Sequence, residues 1–338
     1  MQTLYDRYQA GEHKEVWSEL IALGEAVRQE PVYSDALAVA RETMRRAQTN
    51  IERLIDRLHA IGYRFYDEQS SAQKSVDRIA VLGRQLDALR ANLKGPLADR
   101  MKGLLDLTAN MPRQAEALER LRTVAAKPRA AHPLENSTVY GKANNQAADD
   151  IADAERRLGG PLPLSLRAWY EVVEHVSLIG SHSELNPIDR ATQKPTMFVS
   201  PSILDGPAGR QRRQLVESLG FRVTSQTSTP SLQENPLPDP LVIAPLEQLV
   251  GEVEDDGDDP REYVIAPDDL QKGDISGGVY SVSLPDGNAD MIFPDWKGDY
   301  FVAYLRRVFA WGGFPGWERH RQAPTQLLRE LAHDLMPL

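Results

Sequence analysis

In one N-terminal stretch, apolar side chains recur every three or four positions over more than three heptads. They are Leu37, Ala40, Met44, Ala47, Ile51, Leu54, Leu58 and Ile61. This spacing predicts a helix of about 30 residues with a single apolar seam. Pro31 lies near the predicted start of this helix, where proline is tolerated, and Gly62 lies at its predicted end, where glycine is common. Ser34 or Asp35 is a candidate N-cap. We expect the seam to pack within the chain, and the alternative is a homodimer formed through this Leu37–Ile61 helix.

A second apolar pattern of similar length follows and ends at Gly95-Pro96. Its members are Val76, Ile79, Leu82, Leu86, Leu89 and Leu93. Shorter helices are predicted at 97–108 and 112–125. Because the two long seams have similar lengths, they could pack as an antiparallel pair. The pattern therefore predicts an all-α domain, a helical hairpin or bundle, over residues 1–127.

Residues 128–148 are rich in Pro, Asn, Ser and Gly and poor in apolar side chains. This composition is typical of a linker between domains. We therefore place the domain boundary there and assign the second domain to residues 149–338.

Helical and strand patterns mix in the second domain. Helices are predicted from Asp149 or Asp150 to Leu158, and at 165–174, 300–311 and 325–335. Strands are predicted at 176–179, 241–244, 262–266, 279–284 and 289–293, the last two as a hairpin around Asp286-Gly287-Asn288. Residues 187–238 are interpreted as an insertion that contains one helix near 210–219. The predicted fold class is α+β, with a curled, mostly antiparallel sheet packed with helices.

Charge is distributed unevenly along the chain. Residues 1–130 hold 21 Lys and Arg against 18 Asp and Glu, whereas residues 131–338 hold 18 against 31. A half this acidic repels phosphate backbones, so we expect no direct nucleic-acid partner. It would attract a basic protein and speed the encounter with it. The alternative is that the acidity serves solubility alone.

The sequence contains no recognisable set of catalytic or metal-binding residues. Because the chain has no Cys, thiol chemistry, disulfides and cysteine-based zinc sites are excluded. His182-Ser183-Glu184 therefore lacks the downstream Cys pair of a zinc deaminase. Neither a Gly-x-Ser-x-Gly elbow nor a P-loop occurs in the sequence. We expect no enzyme activity, no metal and no cofactor.

An acidic run and one loop tryptophan are the candidate contact residues for a partner. Six of the eight residues 252–259 are acidic, namely Glu252, Glu254, Asp255, Asp256, Asp258 and Asp259. The run lacks the alternating ligands of an EF-hand, which argues against calcium. A solvated acidic loop is the default interpretation, and a contact patch for a basic protein is the functional one. Trp296 lies in a Pro-Asp-Trp-Lys-Gly turn, where an aromatic ring can serve an interface. Trp311 and Phe314 are interpreted as plugs over the sheet.

A motif of helix ends and apolar positions opens the second domain. It runs Glu155-x-x-Leu158-Gly159-Gly160-x-Leu162-Pro163-Leu164-Ser165-Leu166-Arg167-Ala168-Trp169-Tyr170. This motif resembles the opening of the SUKH superfamily, in which an acidic-headed helix ends in Leu-Gly before Leu-Pro and an aromatic-bearing helix. The resemblance covers about residues 149–338, and the N-terminal helices look like an addition to it. Where the family often has Asn-Gly or Gly-Gly after the second helix, this chain has Glu174-His175.

The resemblance implies helices on a curled sheet and a function without catalysis. Bacterial members are commonly immunity proteins that neutralise a toxin, often a nuclease, and a yeast member regulates cell-wall synthesis through protein contacts. We therefore expect a cytoplasmic protein-binding module with a basic protein partner, either an immunity protein or a regulatory scaffold. The alternative is a small-ligand-binding protein or an enzyme with a cleft near 187–238. We expect no secretory signal and no membrane helix, because the sequence lacks a long apolar run.

Overall fold

A computed structural model describes residues 2–66, 72–81, 84, 112–126, 130–185, 196–198, 222–224, 240–251, 262–266, 280–293, 299–319 and 323–338. The chain forms two compact units, one made of Met1–Phe65 with Val139–Leu338 and the other of Tyr66–Thr138. The first unit is discontinuous, since its two parts flank the second unit along the sequence. This division differs from the predicted domains at 1–127 and 149–338.

The N-terminal part of the first unit consists of α1 (Leu4–Gln9), α2 (His13–Ala22), a 3-10 helix (Gly24–Arg28) and α3 (Val32–Ala60). The predicted seam of α3 is buried from Leu37 to Leu58. The homodimer alternative would need this face exposed, so its burial assigns the seam to the core of the chain. The helix ends as predicted, with Gly62 in the left-handed region at a φ of 80°.

The predicted N-cap of α3 is wrong, because Pro31 occupies the N-cap position. The Asp35 carboxylate instead accepts hydrogen bonds from the backbone nitrogens of Leu4 (2.6 Å) and Tyr5 (3.1 Å). Asp35 therefore satisfies donors in the first turn of α1, a helix that lies 30 residues earlier in the sequence. Local spacing does not predict a cap supplied by another helix.

The second unit, Tyr66–Thr138, is described in part. Residues 72–81 are helical, and α4 (Pro112–Ala125) and a 3-10 helix (Pro133–Glu135) follow. The extent of α4 agrees with the predicted helix at 112–125, whereas the helix predicted at 97–108 lies outside the described residues. Ile79 and Val81 are exposed, at 42% and 43%.

Besides a 3-10 helix (Trp317–Arg319), the described C-terminal part of the first unit contains five further α-helices. They are α5 (Ala147–Leu158), α6 (Leu164–Val172), α7 (Leu246–Gly251), α8 (Phe301–Ala310) and α9 (Thr325–Ala332). The N-cap of α5 is Gln146, so Asp149 and Asp150 lie in its first turn and do not cap it. Among the residues that the structure describes, no helix is both long and apolar enough to cross a membrane.

The strands are short and pair mostly antiparallel. They are β1 (Arg64–Phe65), β2 (Tyr140–Gly141), β3 (His175–Ser177), β4 (Gly180–Ser181), β5 (Thr196–Phe198), β6 (Arg222–Thr224), β7 (Val242–Ile243), β8 (Glu262–Ala266), β9 (Tyr280–Ser283), β10 (Ile292–Phe293) and β11 (Asp299–Tyr300). β3 is the middle strand between β2 and β7, and β1 pairs with β4. The predicted α+β class is confirmed at this level.

Two pairings differ from the sequence prediction. In place of the predicted hairpin of 279–284 with 289–293, β9 pairs with β8 and β10 pairs with β11. β5 and β6 form a parallel pair within the segment interpreted as an insertion. The alternation of apolar and polar residues identifies a strand but does not specify its partner, which explains the first difference.

The N-terminal helices belong to the same core as the C-terminal half, because α3 packs against α6. Polar side chains on α3 reinforce this packing. Gln48 donates to the carbonyl of Val172 (3.1 Å), and Arg57 donates to the carbonyl of Leu331 (2.7 Å). The Tyr63 hydroxyl donates to the carbonyl of Leu178 (2.8 Å). These contacts explain why packing places residues 1–65 with the C-terminal half, whereas composition had separated them.

Candidate functional site

The motif at 155–170 builds a tight turn between α5 and α6. Gly159 ends α5 in the left-handed conformation at a φ of 74°, which glycine adopts without steric cost. A Cβ at Gly160 would lie 2.8 Å from the Pro285 side chain, so the second glycine permits close packing. Arg28 donates to the backbone carbonyls of Leu162 and Gly287. The turn is therefore fixed by both halves of the first unit.

The charged residues of the motif form an ion-pair chain across three helices. Both Glu155 carboxylate oxygens accept from Arg167 Nη1, at 3.2 and 3.0 Å. Arg167 Nε donates to Glu171 (3.1 Å), and Arg41 of α3 donates to the other oxygen of Glu171 (2.6 Å). Glu155 also accepts from the Leu162 backbone nitrogen (3.1 Å). Because these groups are mutually paired, their role is to join α5, α6 and α3.

A groove of about 250 Å³ lies beside this motif and is lined by residues of α5 and α7. We call it the α5/α7 groove; its lining includes Ala147, Asp150, Tyr170, Glu174, Leu246 and Glu247. Ala147 and Ala154 lie on the groove side of α5, and their short side chains leave space for a ligand group. Sequence analysis missed this site because α7 was not predicted, and only a strand at 241–244 was expected there.

The edge of the groove is acidic. Its lining contains the carboxylates of Asp150, Asp153, Glu174 and Glu247 and the single guanidinium of Arg157. Asp153 is paired with Arg157 (2.9 Å) and with Arg156 outside the groove (2.6 Å). Within the described part of the chain, no ion pair engages Asp150 or Glu247. These two carboxylates are therefore available to a cation from outside.

Tyr170 contributes a buried side chain to the lining of the groove. Its side chain is 2% exposed, and its hydroxyl donates to the carbonyl of Ala244 (3.2 Å). Burial raises the pKa of the Tyr170 phenol well above its ordinary value, so the ring stays neutral at physiological pH. Tyr170 thus supplies an apolar surface and no acid–base group.

Glu174 reaches the groove from an unusual backbone conformation. Its φ is 74°, in the left-handed region that costs a residue with a Cβ roughly 1–2 kcal/mol. Two hydrogen bonds to Trp169 hold it there, one from the indole nitrogen to the Glu174 carbonyl (3.1 Å) and one from the Glu174 nitrogen to the Trp169 carbonyl (3.3 Å). Glu174 is the position at which the SUKH motif often has Asn or Gly.

A second cavity of about 330 Å³ has the carboxyl of Asp290 in its lining, with Asp286, Asn288 and Tyr300. Asp290 is 3% exposed and accepts from the backbone nitrogens of Met291 (3.0 Å) and Val302 (3.1 Å). Burial raises its pKa to about 7, and the hydrogen bonds oppose this shift. The contact to Val302 satisfies a donor at the start of α8, which gives Asp290 a structural role.

In the part of the chain that the structure describes, no three His, Asp or Glu side chains meet in a way that could hold a metal ion. His182 accepts at Nδ1 from the Glu184 backbone nitrogen (3.3 Å), a local turn contact. The short spacing of His182 and Glu184 in the sequence thus corresponds to a hydrogen bond within a turn.

The predicted contact residues lie outside the described residues. These are Glu252, Glu254, Asp255, Asp256, Asp258, Asp259 and Trp296. Most of the 187–238 segment also lies outside the described residues. The alternative function, a small-ligand-binding protein or an enzyme, was expected to have its cleft near this segment. Phe314, predicted as a plug, is fully buried with its ring 5.7 Å from that of Tyr63, whereas Trp311 is half-buried.

Comparisons with known proteins identify no relative. No family model matches the chain. No curated protein and no solved structure gives a significant match either. The SUKH resemblance therefore stays a prediction from the sequence, which rests on the motif at 155–170 and on the later strands and the helix Phe301-Val302-x-Tyr304-Leu305 that ends in Trp311-Gly312-Gly313-Phe314.

Proposed function

We propose that this chain is a non-catalytic protein-binding module whose partner is basic. The single observation that carries the proposal is the α5/α7 groove, whose edge holds carboxylates without cationic partners. The groove belongs to the acidic part of the chain, in which 31 Asp and Glu face 18 Lys and Arg. A surface of this charge accelerates encounter with a positively charged protein and disfavours nucleic acid.

The SUKH resemblance supports a more specific form of the same proposal. Bacterial proteins of that superfamily commonly neutralise a toxin by binding it, and many such toxins are nucleases with basic surfaces. An acidic inhibitor would occupy the surface that otherwise meets phosphate. On this proposal the chain is an immunity protein of a nuclease-type toxin or a regulatory scaffold, acts in the cytoplasm, and carries a curled sheet of the SUKH type.

The experiment that tests the proposal is capture of partners from native lysate with the tagged full chain at low and at moderate ionic strength. We expect one stoichiometric basic protein that is lost as salt rises, because salt screens the attraction. The purified partner should then bind the chain directly, and a toxin partner should lose its activity on binding. Failure to recover any stoichiometric partner at either ionic strength contradicts the proposal.

A second candidate function, small-ligand binding or catalysis, is favoured by the cavity that contains Asp290. A buried carboxyl with a raised pKa in a polar cavity is typical of ligand and active sites. A cleft near 187–238 is the other location for this function. A thermal-shift screen of metabolites on the intact chain separates the two candidates, since a ligand that raises Tm in a dose-dependent way and loses its effect in Asp290→Asn supports the second.

A further inference from the structure

We propose that the α5/α7 groove binds a short basic and apolar segment of the partner protein, with one lysine or arginine held between Asp150, Glu174 and Glu247. This inference rests on the proposed function and deepens it by naming the surface and the chemistry of its occupant.

The dimensions of the groove suit a short peptide segment. On α5 its lining extends from Ala147 to Arg157, which corresponds to about 15 Å along the helix axis. Four or five residues of extended chain span about the same length. A volume of about 250 Å³ accommodates one or two side chains and excludes a folded domain. The occupant is therefore a protruding loop or terminus of the partner.

The charge of the groove requires a cationic group in the occupant. Asp150 and Glu247 have no ion-pair partner among the described residues, and Glu174, whose carboxylate lies 4.0 Å from His175 Nδ1, adds a third carboxylate to the lining. A lysine or arginine has the length to pass along the groove wall and place its charge among these carboxylates. Charge complementarity thus selects a basic segment.

The apolar part of the lining requires an apolar neighbour beside that cation. Ala147 is half-buried, and Leu246 is 9% exposed. Val250 is half-buried on the next turn of α7, and Tyr170 also belongs to the lining. A polyamine or a metal ion would meet the carboxylates but leave this surface uncovered. A peptide with alternating basic and apolar side chains covers both.

The conformation of Glu174 gives the proposal a distinctive test. Asn or Gly would adopt the left-handed backbone at this position with less strain. The chain instead keeps a residue whose carboxylate lines the groove. Glu174→Asn should therefore raise Tm and weaken binding of the basic segment. If Glu174 had only a structural role, the same substitution would lower Tm or leave binding unchanged.

The probe is a fluorescein-labelled hexapeptide of alternating Lys and Leu, titrated with the full chain by fluorescence anisotropy at low ionic strength. A Glu–Leu peptide of the same length is the control. We expect Asp150→Asn to weaken binding of the Lys–Leu peptide about twofold to fivefold. Asp150→Asn combined with Glu247→Gln should weaken it about tenfold.

Neighbouring residues on α5 supply matched controls. Asp149→Asn removes the same charge from the same helical turn but outside the groove, and we expect no change in affinity. Ala147→Leu fills the groove without a change of charge and should weaken binding about tenfold. Ala148→Leu, at the adjacent exposed position, should leave it unchanged. Circular dichroism and Tm verify that each variant is folded.

Three outcomes overturn the inference. The first is equal loss of affinity in Asp149→Asn and Asp150→Asn, which indicates general charge attraction. The second is full competition by spermidine at concentrations comparable to the peptide. The third is a partner captured from lysate that binds Asp150→Asn, Glu247→Gln and Ala147→Leu as well as the original chain; the proposed function then stands and only the groove is excluded. If no partner is recovered from lysate, the proposed protein-binding function is contradicted. The peptide titration then still shows whether the groove binds a basic and apolar segment.

Discussion

Single polar residues fix much of this structure by satisfying backbone groups far away in the sequence. Asn50, fully buried on α3, donates to the carbonyl of Met336 (2.9 Å) and accepts from its nitrogen (2.7 Å). Asp35 supplies the missing acceptors of α1, and Asp290 does the same for α8. Buried backbone donors and acceptors need partners, and here side chains provide them where no strand or helix is available.

Asn50→Ala should therefore lower the free energy of unfolding by about 2–4 kcal/mol, because it leaves both backbone groups of Met336 unsatisfied. Urea denaturation followed by circular dichroism measures the loss. Thr49→Ala, one position away and outside this contact, is the control and should change stability by less than about 1 kcal/mol. A change in Asn50→Ala no larger than in the control would contradict the role assigned to the amide.

Asp290 should make stability depend on pH in a direction opposite to that of a carboxylate in a salt bridge. Its pKa is raised from 3.8 to about 7 by burial, so between these values unfolding releases a proton. The free energy of unfolding therefore decreases as pH rises from about 4 to about 7, by at most about 1.4 kcal/mol per pH unit. Urea midpoints of the original chain and Asp290→Asn across this range should converge at low pH and diverge as pH rises. Parallel curves would exclude the effect.

At the scale of elements, the sequence predicts helices better than the contacts between them. The apolar seam of α3 and the end of α5 at Gly159 follow from local spacing and from glycine chemistry. The packing of α3 on α6 does not, because an apolar seam can be covered by any apolar surface of the right shape. The α5/α7 groove is a second example. The sequence predicts that Asp150 lies on a helix, but it does not predict that α7 packs beside that helix and forms the other wall of the groove.

The ion-pair chain through Arg167 should couple α5 to α6 in a measurable way. Glu155→Gln and Arg167→Met are each expected to destabilise the fold, since Arg167→Met leaves Glu155 without its cationic partner and Glu155→Gln leaves Arg167 with Glu171 alone. The double mutant should lose less than the sum of the two, with a coupling energy of about 1–3 kcal/mol. Additive losses would mean that the pair contributes little. The exposed pair Arg122 with Glu119 (3.4 Å) is the control and should show little coupling.

At the scale of the whole molecule, residues 1–65 and 139–338 form one compact unit although the chain between them belongs to another. β1 pairs with β4 through Phe65 and Gly180, and β2 pairs with β3 through Tyr140 and Val176. Residues 65 and 140 thus lie against strands that are neighbours in the sequence. The two parts of the unit can be joined there by a short connection.

Two deletions test this organisation. A chain that begins at residue 66 should fail to fold, because it lacks the α3 face that covers α6. Replacing residues 67–138 with a short Gly/Ser linker should leave a protein with one cooperative urea transition. Cooperative unfolding of the fragment 139–338 alone would show that the N-terminal helices are an addition, as the resemblance had implied.

The discontinuity of the first unit sets the order of events on the ribosome. Arg57 and its acceptor at Leu331 are 274 residues apart, a distance that translation at about 5–20 residues per second covers in roughly 15 to 55 seconds. During the first part of that interval, until α6 has been synthesised, the apolar seam of α3 lacks the helix that packs against it in the first unit. The nascent chain therefore exposes the apolar face of a long helix during that time, and such exposed apolar surface favours aggregation.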